Sequence, residues 1–315
     1  MNKLIRLILY ITAGCIGIGV AALISGLVLG GGNWDWEETG MFGRAERAVQ
    51  RITSGHGKQV KTVDKIEDTY DYDEDDDSGD DFAGDMGLLA IDASSITDLS
   101  IELRHGYLSI EESDDSRIIV SASGSQMMMD EIQAECDGGK ISIRDTRSGD
   151  RSREDLEIYL EIPKNLQLNQ ANFQINAGVL ESDCSFQAKE LTVNADAGQI
   201  DLSDVTAGVF SASVGAGEMD IENGNFETTR LECGVGVMDI EADITKDAQI
   251  ECGMGSVNLE LAGGPDSVNY VLHCGAGTIE VGDRSYSGLA KKSRIENGSG
   301  ATFTLECGMG QICIE

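Results

Sequence analysis

The chain has 315 residues, a formal net charge of −33 and an aromatic content of 5%. An acidic excess of this size repels nucleic acid and anionic lipid surfaces, so it excludes a nucleic-acid partner. The 39 glycines, together with alternating Val, Ile and Leu, favour repeated short strands over helices.

The first predicted element is a membrane-spanning helix over residues 7–29. This stretch is uncharged and mostly apolar, and it exceeds the roughly 20 residues that cross a bilayer as a helix. Lys3 and Arg6 precede it and acidic residues follow it, so the positive-inside rule keeps residues 1–6 in the cytoplasm. The sequence therefore predicts a single-pass protein of the cell membrane with an extracellular C-terminal domain.

A cleaved lipoprotein is the alternative for this segment. The residues TAGC end at Cys15 and loosely resemble a lipobox, which would place a lipid on Cys15. The apolar run continues well beyond Cys15, which favours an uncleaved helix.

Residues 30–86 are predicted to be a largely disordered linker, basic at first and then acidic. The acidic part, DTYDYDEDDDSGDD at 68–81, is too charged to bury an apolar core. It does not fit an EF-hand calcium loop, because a loop starting at Asp73 has Ser78 where glycine is required. A solvated spacer is the favoured interpretation.

Two nearly identical segments reveal a repeat in the remaining sequence: residues 250–260 read IECGMGSVNLE, and residues 305–315 read LECGMGQICIE. Glycines equivalent to the second glycine of CGMG recur first at intervals of 19 to 20 residues and then at longer intervals. A fixed period near 20 residues is typical of a solenoid. The aligned glycines are Gly178, Gly198, Gly217, Gly236, Gly255, Gly277 and Gly310.

Apolar and polar residues alternate on both sides of this glycine. Ile250 and Cys252 precede Gly255, for example, and Val257 and Leu259 follow it. Period-two alternation predicts two strands that meet at a glycine corner, followed by a shorter return edge. The predicted fold is an all-β, parallel β-solenoid or β-helix with coils of roughly 19–20 residues that share one apolar core.

The same template extends upstream, so residues 87–315 are predicted to form one domain. It fits weakly around Gly106 and again between Cys136 and Gly139, and LEIYLEIP at 156–163 is another alternating strand. A strand ending in IP, with G-x-G strands after it, resembles the bacterial putative adhesin family of membrane-anchored β-strand repeats. The resemblance implies a cell-surface or envelope-stress role and supplies no catalytic residues.

The corner glycines are predicted to have a structural role. Paired glycines in G-x-G could also form anion-binding nests of N–H groups. A corner that needs positive φ and a close approach of the next coil is the favoured interpretation. The glycines assigned to this role are Gly217, Gly236, Gly255, Gly277 and Gly310.

Five of the eight cysteines share one inward-facing column: Cys136, Cys233, Cys252, Cys274 and Cys307. Stacked strands lie roughly 4.8 Å apart, so disulfides between neighbouring coils are compatible with this column. A tetrahedral zinc site is disfavoured, because the column offers its sulfur atoms in a line. Buried thiols acting as small hydrophobic groups are the favoured interpretation.

Acidic residues form two outward-facing columns after the corner. The first contains Asp201, Asp220 and Asp239, and the second contains Glu222, Glu241 and Glu260. A solvated face is the simpler interpretation. The sharper one is that calcium bridges the carboxylates, since hard cations prefer carboxylate oxygen; no other cofactor is expected.

Enzymatic activity is not expected, because the sequence has three histidines and no H-E-x-x-H, G-x-S-x-G or P-loop motif. We predict a non-catalytic, membrane-anchored cell-surface β-solenoid for adhesion, binding or envelope-stress sensing. Its expected partners are a cell-wall polymer or a surface protein. Two alternatives stay open: a carbohydrate-active β-helix enzyme, and a cytoplasmic, membrane-attached β-helix scaffold that polymerises.

The end of the chain suggests a further contact. A predicted strand ends at Glu315 without a cap, and an open terminal coil offers unpaired N–H and C=O groups to another chain. We therefore expect self-association through the C-terminal coil, unless the insertion at 285–300 folds back as a cover.

Overall fold

The computed structural model describes residues 86–123, 130–149 and 156–315. The predicted membrane helix at 7–29 and nearly all of the predicted linker lie outside these residues. Within the described part of the chain, no helix is long and apolar enough to cross a membrane.

The described residues form one hydrogen-bonded sheet of 18 strands, with a short 3-10 turn at Ala93–Ser95. The strands are β1 (Met86–Asp92), β2 (Asp98–Ser113), β3 (Arg117–Ser123), β4 (Ile132–Asp137), β5 (Lys140–Asp145), β6 (Glu157–Pro163), β7 (Gln167–Ser182), β8 (Phe186–Ser203), β9 (Val205–Cys233), β10 (Val237–Ile244), β11 (Ala248–Cys252), β12 (Ser256–Leu261), β13 (Asn269–Cys274), β14 (Thr278–Val281), β15 (Arg284–Ser287), β16 (Lys291–Ile295), β17 (Thr302–Cys307) and β18 (Gln311–Ile314).

The strands stack in layers, and each regular layer has a first arm before the glycine corner and a second arm after it. β7 and β8 run parallel through both arms, with Phe173 beside Val193 in the first arm and Leu180 beside Ile200 in the second. These four side chains are all buried, because alternation sends every second residue of each arm inward. The predicted parallel β-solenoid is confirmed for the regular layers.

The layers do not follow the order of the chain. The C-terminal strands β17 and β18 lie between the layer of β11 and β12 and the layer of β13 and β14. The two nearly identical segments are therefore direct neighbours, with Ile250 beside Leu305 and Cys252 beside Cys307. The prediction of an open C-terminal coil is wrong, because β18 is paired on both sides. Self-association through that coil loses its structural argument.

The insertion at 285–300 covers the end of the stack, although the layer that it covers is that of β13 and β14. β15 runs antiparallel to β14, and β16 runs antiparallel to β13. Gly288 (φ 126°) and Ala290 (φ 53°) reverse the chain between them. These two strands form the last layer, which we call the cap.

The opposite end of the stack departs from the predicted parallel solenoid. β3 pairs antiparallel with both β1 and β6, and β6 joins this group to β2. The predicted coil with Gly139 at its corner is wrong. β4 and β5 form an antiparallel hairpin instead, because Gly138 and Gly139, both with positive φ, make a two-residue turn.

The core lies between the two arms and the return edge of each layer. Phe186, on a return edge, packs edge-on against Phe173 at a centroid distance of 6.1 Å, and Phe226 stacks on Phe210 at 4.4 Å. Because these aromatic rings fill the interior of the described layers, a binding surface there has to lie on the outside of the arms.

Candidate functional site

Each corner glycine packs against the corner of the neighbouring layer. A Cβ atom on Gly255 would lie 2.1 Å from the carbonyl oxygen of Gly236, and one on Gly236 would lie 2.3 Å from that of Gly217. Gly310 and Gly277 are placed in the same way, at 2.2 and 2.3 Å. Positive φ is not the shared reason, since Gly217 has φ 149° whereas the other four lie outside the left-handed region. Close approach of the backbones is what requires glycine.

The N–H groups at these corners bond between layers, which disfavours anion-binding nests. Gly253 and Met254 donate to the carbonyl oxygens of Cys233 and Gly234, each at 2.8 Å. The same contacts recur between the next two layers. An anion would have to displace these hydrogen bonds.

Four cysteines form one buried column in the order Cys233, Cys252, Cys307, Cys274. Neighbours stand in register on adjacent parallel strands, and the four residues are between 0% and 3% exposed. Cys136 was predicted to join them, but it lies half-buried on the antiparallel β4 at the other end of the stack. All cysteines in the described part of the chain are free thiols.

The stacked thiols perturb one another. Hydrogen bonds with Cys233 and Cys307, followed by burial, raise the pKa of Cys252. The hydrogen bond with Cys252 lowers the pKa of Cys307 to about 7, and it also lowers the pKa of Cys233. Burial raises the pKa of Cys274. The three thiols Cys233, Cys252 and Cys307 therefore titrate as one coupled group.

The first acidic column is continuous over three layers. Asp201, Asp220 and Asp239 stand in register on β8, β9 and β10. Burial, and after it the charges of neighbouring carboxylates, raises the pKa of both Asp201 and Asp220. Asn258 follows in the next layer and donates its Nδ2 to Asp239 Oδ1 at 2.5 Å.

The second acidic column is interrupted. Glu241 stands beside Glu260, but a register shift between Ile240 and Ala242 separates Glu241 from Glu222. Among the residues that the structure describes, no group of three or more His, Cys, Asp or Glu side chains could hold a metal ion. Calcium at these columns would have to bridge single pairs of carboxylates.

A buried ion pair near the antiparallel end was missed by the sequence reasoning. Arg147 Nη2 lies 2.9 Å from Asp145 Oδ2, and both side chains are fully buried. Arg147 also donates to the carbonyl oxygen of His105, which ties the end of β5 to β2. A D-x-R triplet is too short to signal such a contact, and its role here is structural.

A shallow groove on the first arm was also missed. It runs across β2, β7 and β8, beside the start of β5, and Gln170 within it donates its Nε2 to Glu190 Oε2 at 3.0 Å. The residues of this groove are far apart in sequence and come together only through the register of the strands. No local sequence motif therefore predicts the groove. One in-register column is Ser100, Asn172 and Thr192, and the column beside it is Lys140, Asp98, Gln170 and Glu190.

These features define an all-β, β-solenoid-like repeat protein. The chain belongs to the Toastrack DUF4097 family, whose model matches residues 96–302. The predicted resemblance to a β-strand-repeat family of unknown function is confirmed by this family match.

The chain is similar to a "putative adhesin" from Bacteroides fragilis, with 13% identity, 73% of this chain and 97% of that chain covered, and a TM-score of 0.40. It is similar to a "putative cell adhesion protein" from Clostridium sporogenes, with 15% identity, coverage of 73% and 97%, and a TM-score of 0.31. A "putative lipid binding protein" from Parabacteroides distasonis has 13% identity, coverage of 73% and 96%, and a TM-score of 0.42. No curated protein matches the chain.

Proposed function

We propose that the protein is a non-catalytic, membrane-anchored cell-surface protein whose solenoid binds an extended polymer of the cell envelope. The proposal rests on the groove across β2, β7 and β8. In it Ser100, Asn172 and Thr192 stand in register on three adjacent strands. Hydroxyl and amide groups both donate and accept hydrogen bonds, as sugar hydroxyls do. A ladder of such groups at the strand spacing suits a repeating carbohydrate better than a compact ligand.

Co-sedimentation of the purified full chain with cell-wall fragments tests this proposal. We expect the wild-type chain to pellet with the wall and the double variant Asn172→Ala, Thr192→Ala to bind more weakly. A matched control on the second arm, Ser256→Ala with Gln311→Ala, should bind like wild type. Equal binding by all three proteins would remove the groove from the proposal.

The anchoring part of the proposal rests on charge around the apolar segment at 7–29, with Lys3 and Arg6 before it. Protease added to intact protoplasts should digest the solenoid. Protection until lysis would place the domain in the cytoplasm and favour the polymerising scaffold instead.

A carbohydrate-active enzyme is the second candidate, because the groove brings Lys140 beside Asp98 and places Glu190 in the same column. A basic residue next to carboxylates is a pattern that acid–base chemistry on a polysaccharide uses. Release of new sugar ends from wall polysaccharide, abolished by Lys140→Ala, would support the enzyme. Binding without any release supports the adhesin.

A further inference from the structure

The CGMG segments place two kinds of sulfur in two adjacent layers. Cys252 and Cys307 stand in register, with exposures of 0% and 3%. Met254 and Met309 stand side by side at the same corner, because Met309 N–H donates to the carbonyl oxygen of Gly253 at 2.7 Å. The two methionines are large exposed apolar side chains, at 42% and 56%. Each of these two layers therefore carries an exposed thioether two residues after a buried thiol.

We propose that Cys252 and Cys307 bind one soft monovalent d10 cation, Cu(I), between their sulfur atoms, and that Met254 and Met309 deliver it from the surface. Soft thiolate and thioether side chains favour Cu(I), zinc and iron–sulfur clusters over hard cations. The outer members of the cysteine column, Cys233 and Cys274, have no methionine two residues later at the corner. Val235 and Ala276 occupy the corner positions of their layers.

The spacing of the layers fits a cation held between two sulfurs in line. Adjacent strands lie about 4.8 Å apart. Two metal–sulfur bonds of the length known for zinc, about 2.3 Å each, span about 4.6 Å when they lie in line. A tetrahedral ion needs four ligands around one point, which a column does not supply. The described residues contain no such cluster of three or more ligands.

A disulfide between these residues, with which the column is compatible, would draw the two layers closer than the strand spacing. In-register residues of parallel strands repeat their Cβ positions at about the strand spacing of 4.8 Å. A disulfide requires Cβ atoms about 3.5–4.5 Å apart, so the layers would have to move together. Binding of Cu(I) breaks two S–H bonds, forms two Cu–S bonds and releases two protons, and no electron is transferred.

Backbone rather than side chains covers the buried thiols at the corner. Cys252 Sγ lies 2.9 Å from the position that a Cβ atom on Gly310 would take, so this sulfur packs directly beneath the corner. Gly253 and Gly308, which follow the two cysteines, also carry no side chain over it. A cation moving from the thioethers to the thiols would have to part the hydrogen bonds between the layers at this corner, such as that from Met309 N–H to the carbonyl oxygen of Gly253.

Anaerobic titration of the reduced full chain with Cu(I), in competition with a chromogenic Cu(I) chelator, tests the site. We expect one equivalent to bind and X-ray absorption to show two sulfur ligands. Cys252→Ser should lose this equivalent, whereas Cys313→Ser, at an outward position of the same C-terminal layer, should keep it. Met254→Leu with Met309→Leu should keep the stoichiometry and take up Cu(I) more slowly.

Several outcomes would overturn the proposal. One is that the protein does not compete with the chelator for Cu(I). Another is that Cys252→Ser still binds one equivalent of Cu(I). A third is that the X-ray absorption spectrum shows oxygen and nitrogen ligands. Loss of two thiols in air without bound metal would assign a disulfide instead. If Cys252→Ser fails to fold, the ligands seen by X-ray absorption in the wild-type complex with Cu(I) decide whether the site is made of two sulfur atoms.

Discussion

At the scale of single residues, the corner glycines set how closely two layers approach. A Cβ atom on Gly255 would meet backbone oxygen at 2.1 Å, and backbone cannot rotate away as a side chain can. Gly255→Ala should therefore lower the free energy of unfolding by about 1–3 kcal/mol or more. Gly300→Ala is the control, because a Cβ atom there meets nothing within 4 Å. Urea unfolding should show a change of at most about 0.5 kcal/mol for this control.

The column of thiols gives a second test at the same scale. Cys252→Asp places an unpaired charge in the core, where no exposed surface remains, and should destabilise the protein by about 3–5 kcal/mol. Cys313→Asp should have a mild effect, because Cys313 is partly exposed and points outward. Thermal unfolding followed by circular dichroism compares the two. Equal melting temperatures would contradict the inward and outward assignment of these strands.

At the scale of elements, alternation predicted the strands but not the order of the layers. The inward residues Leu272, Ile279 and Leu305 are buried as the pattern indicates. The layer order escaped prediction because the inner faces ending at Val281 and Ile314 are equally apolar, so alternation cannot say which one stacks on β12. The groove could not be predicted for a related reason. Its columns of side chains form through the register between strands that are distant in sequence.

The cap yields a prediction for this scale. Replacing residues 284–296 with a short Gly-Ser linker removes β15 and β16 and leaves β13 and β14 as an open edge. Unpaired edge strands associate, so the variant should sediment as larger, concentration-dependent species. Lys291→Ser with Lys292→Ser changes charge but keeps the strands, and it should sediment like wild type. A folded deletion variant of unchanged size would show that the cap does not protect the edge.

At the scale of the whole molecule, the net charge of −33 is partly organised into columns. Two unit charges one strand spacing apart repel by about 1 kcal/mol even in water, and salt weakens this repulsion. Burial and neighbouring carboxylates raise the pKa of Asp201 and Asp220 above the usual value of 3.8. The folded chain therefore holds these protons more tightly than the unfolded chain does.

This difference fixes the sign of the pH dependence. The ionised column lowers the free energy of unfolding, and this effect is fully present at neutral pH. It is relieved as the pH falls through the raised pKa values towards 3.8, because the folded chain then takes up protons first. We expect Asp201→Asn with Asp220→Asn to stabilise the protein at pH 7 and to reduce the gain in stability on mild acidification. Melting temperatures recorded across this range measure both effects. A double variant no more stable than wild type at neutral pH would mean that the column is already relaxed by solvent.

Divalent cations provide the remaining test of the column. If calcium bridges neighbouring carboxylates such as Asp201 and Asp220, millimolar calcium should raise the melting temperature more than sodium chloride does at matched ionic strength. The same double asparagine variant should lose that difference, because amides do not carry the charge that attracts the cation. Identical curves for calcium and sodium in the wild-type chain would leave ionic screening as the whole effect. The acidic columns would then serve only to keep a long β-solenoid soluble and its layers apart from other chains.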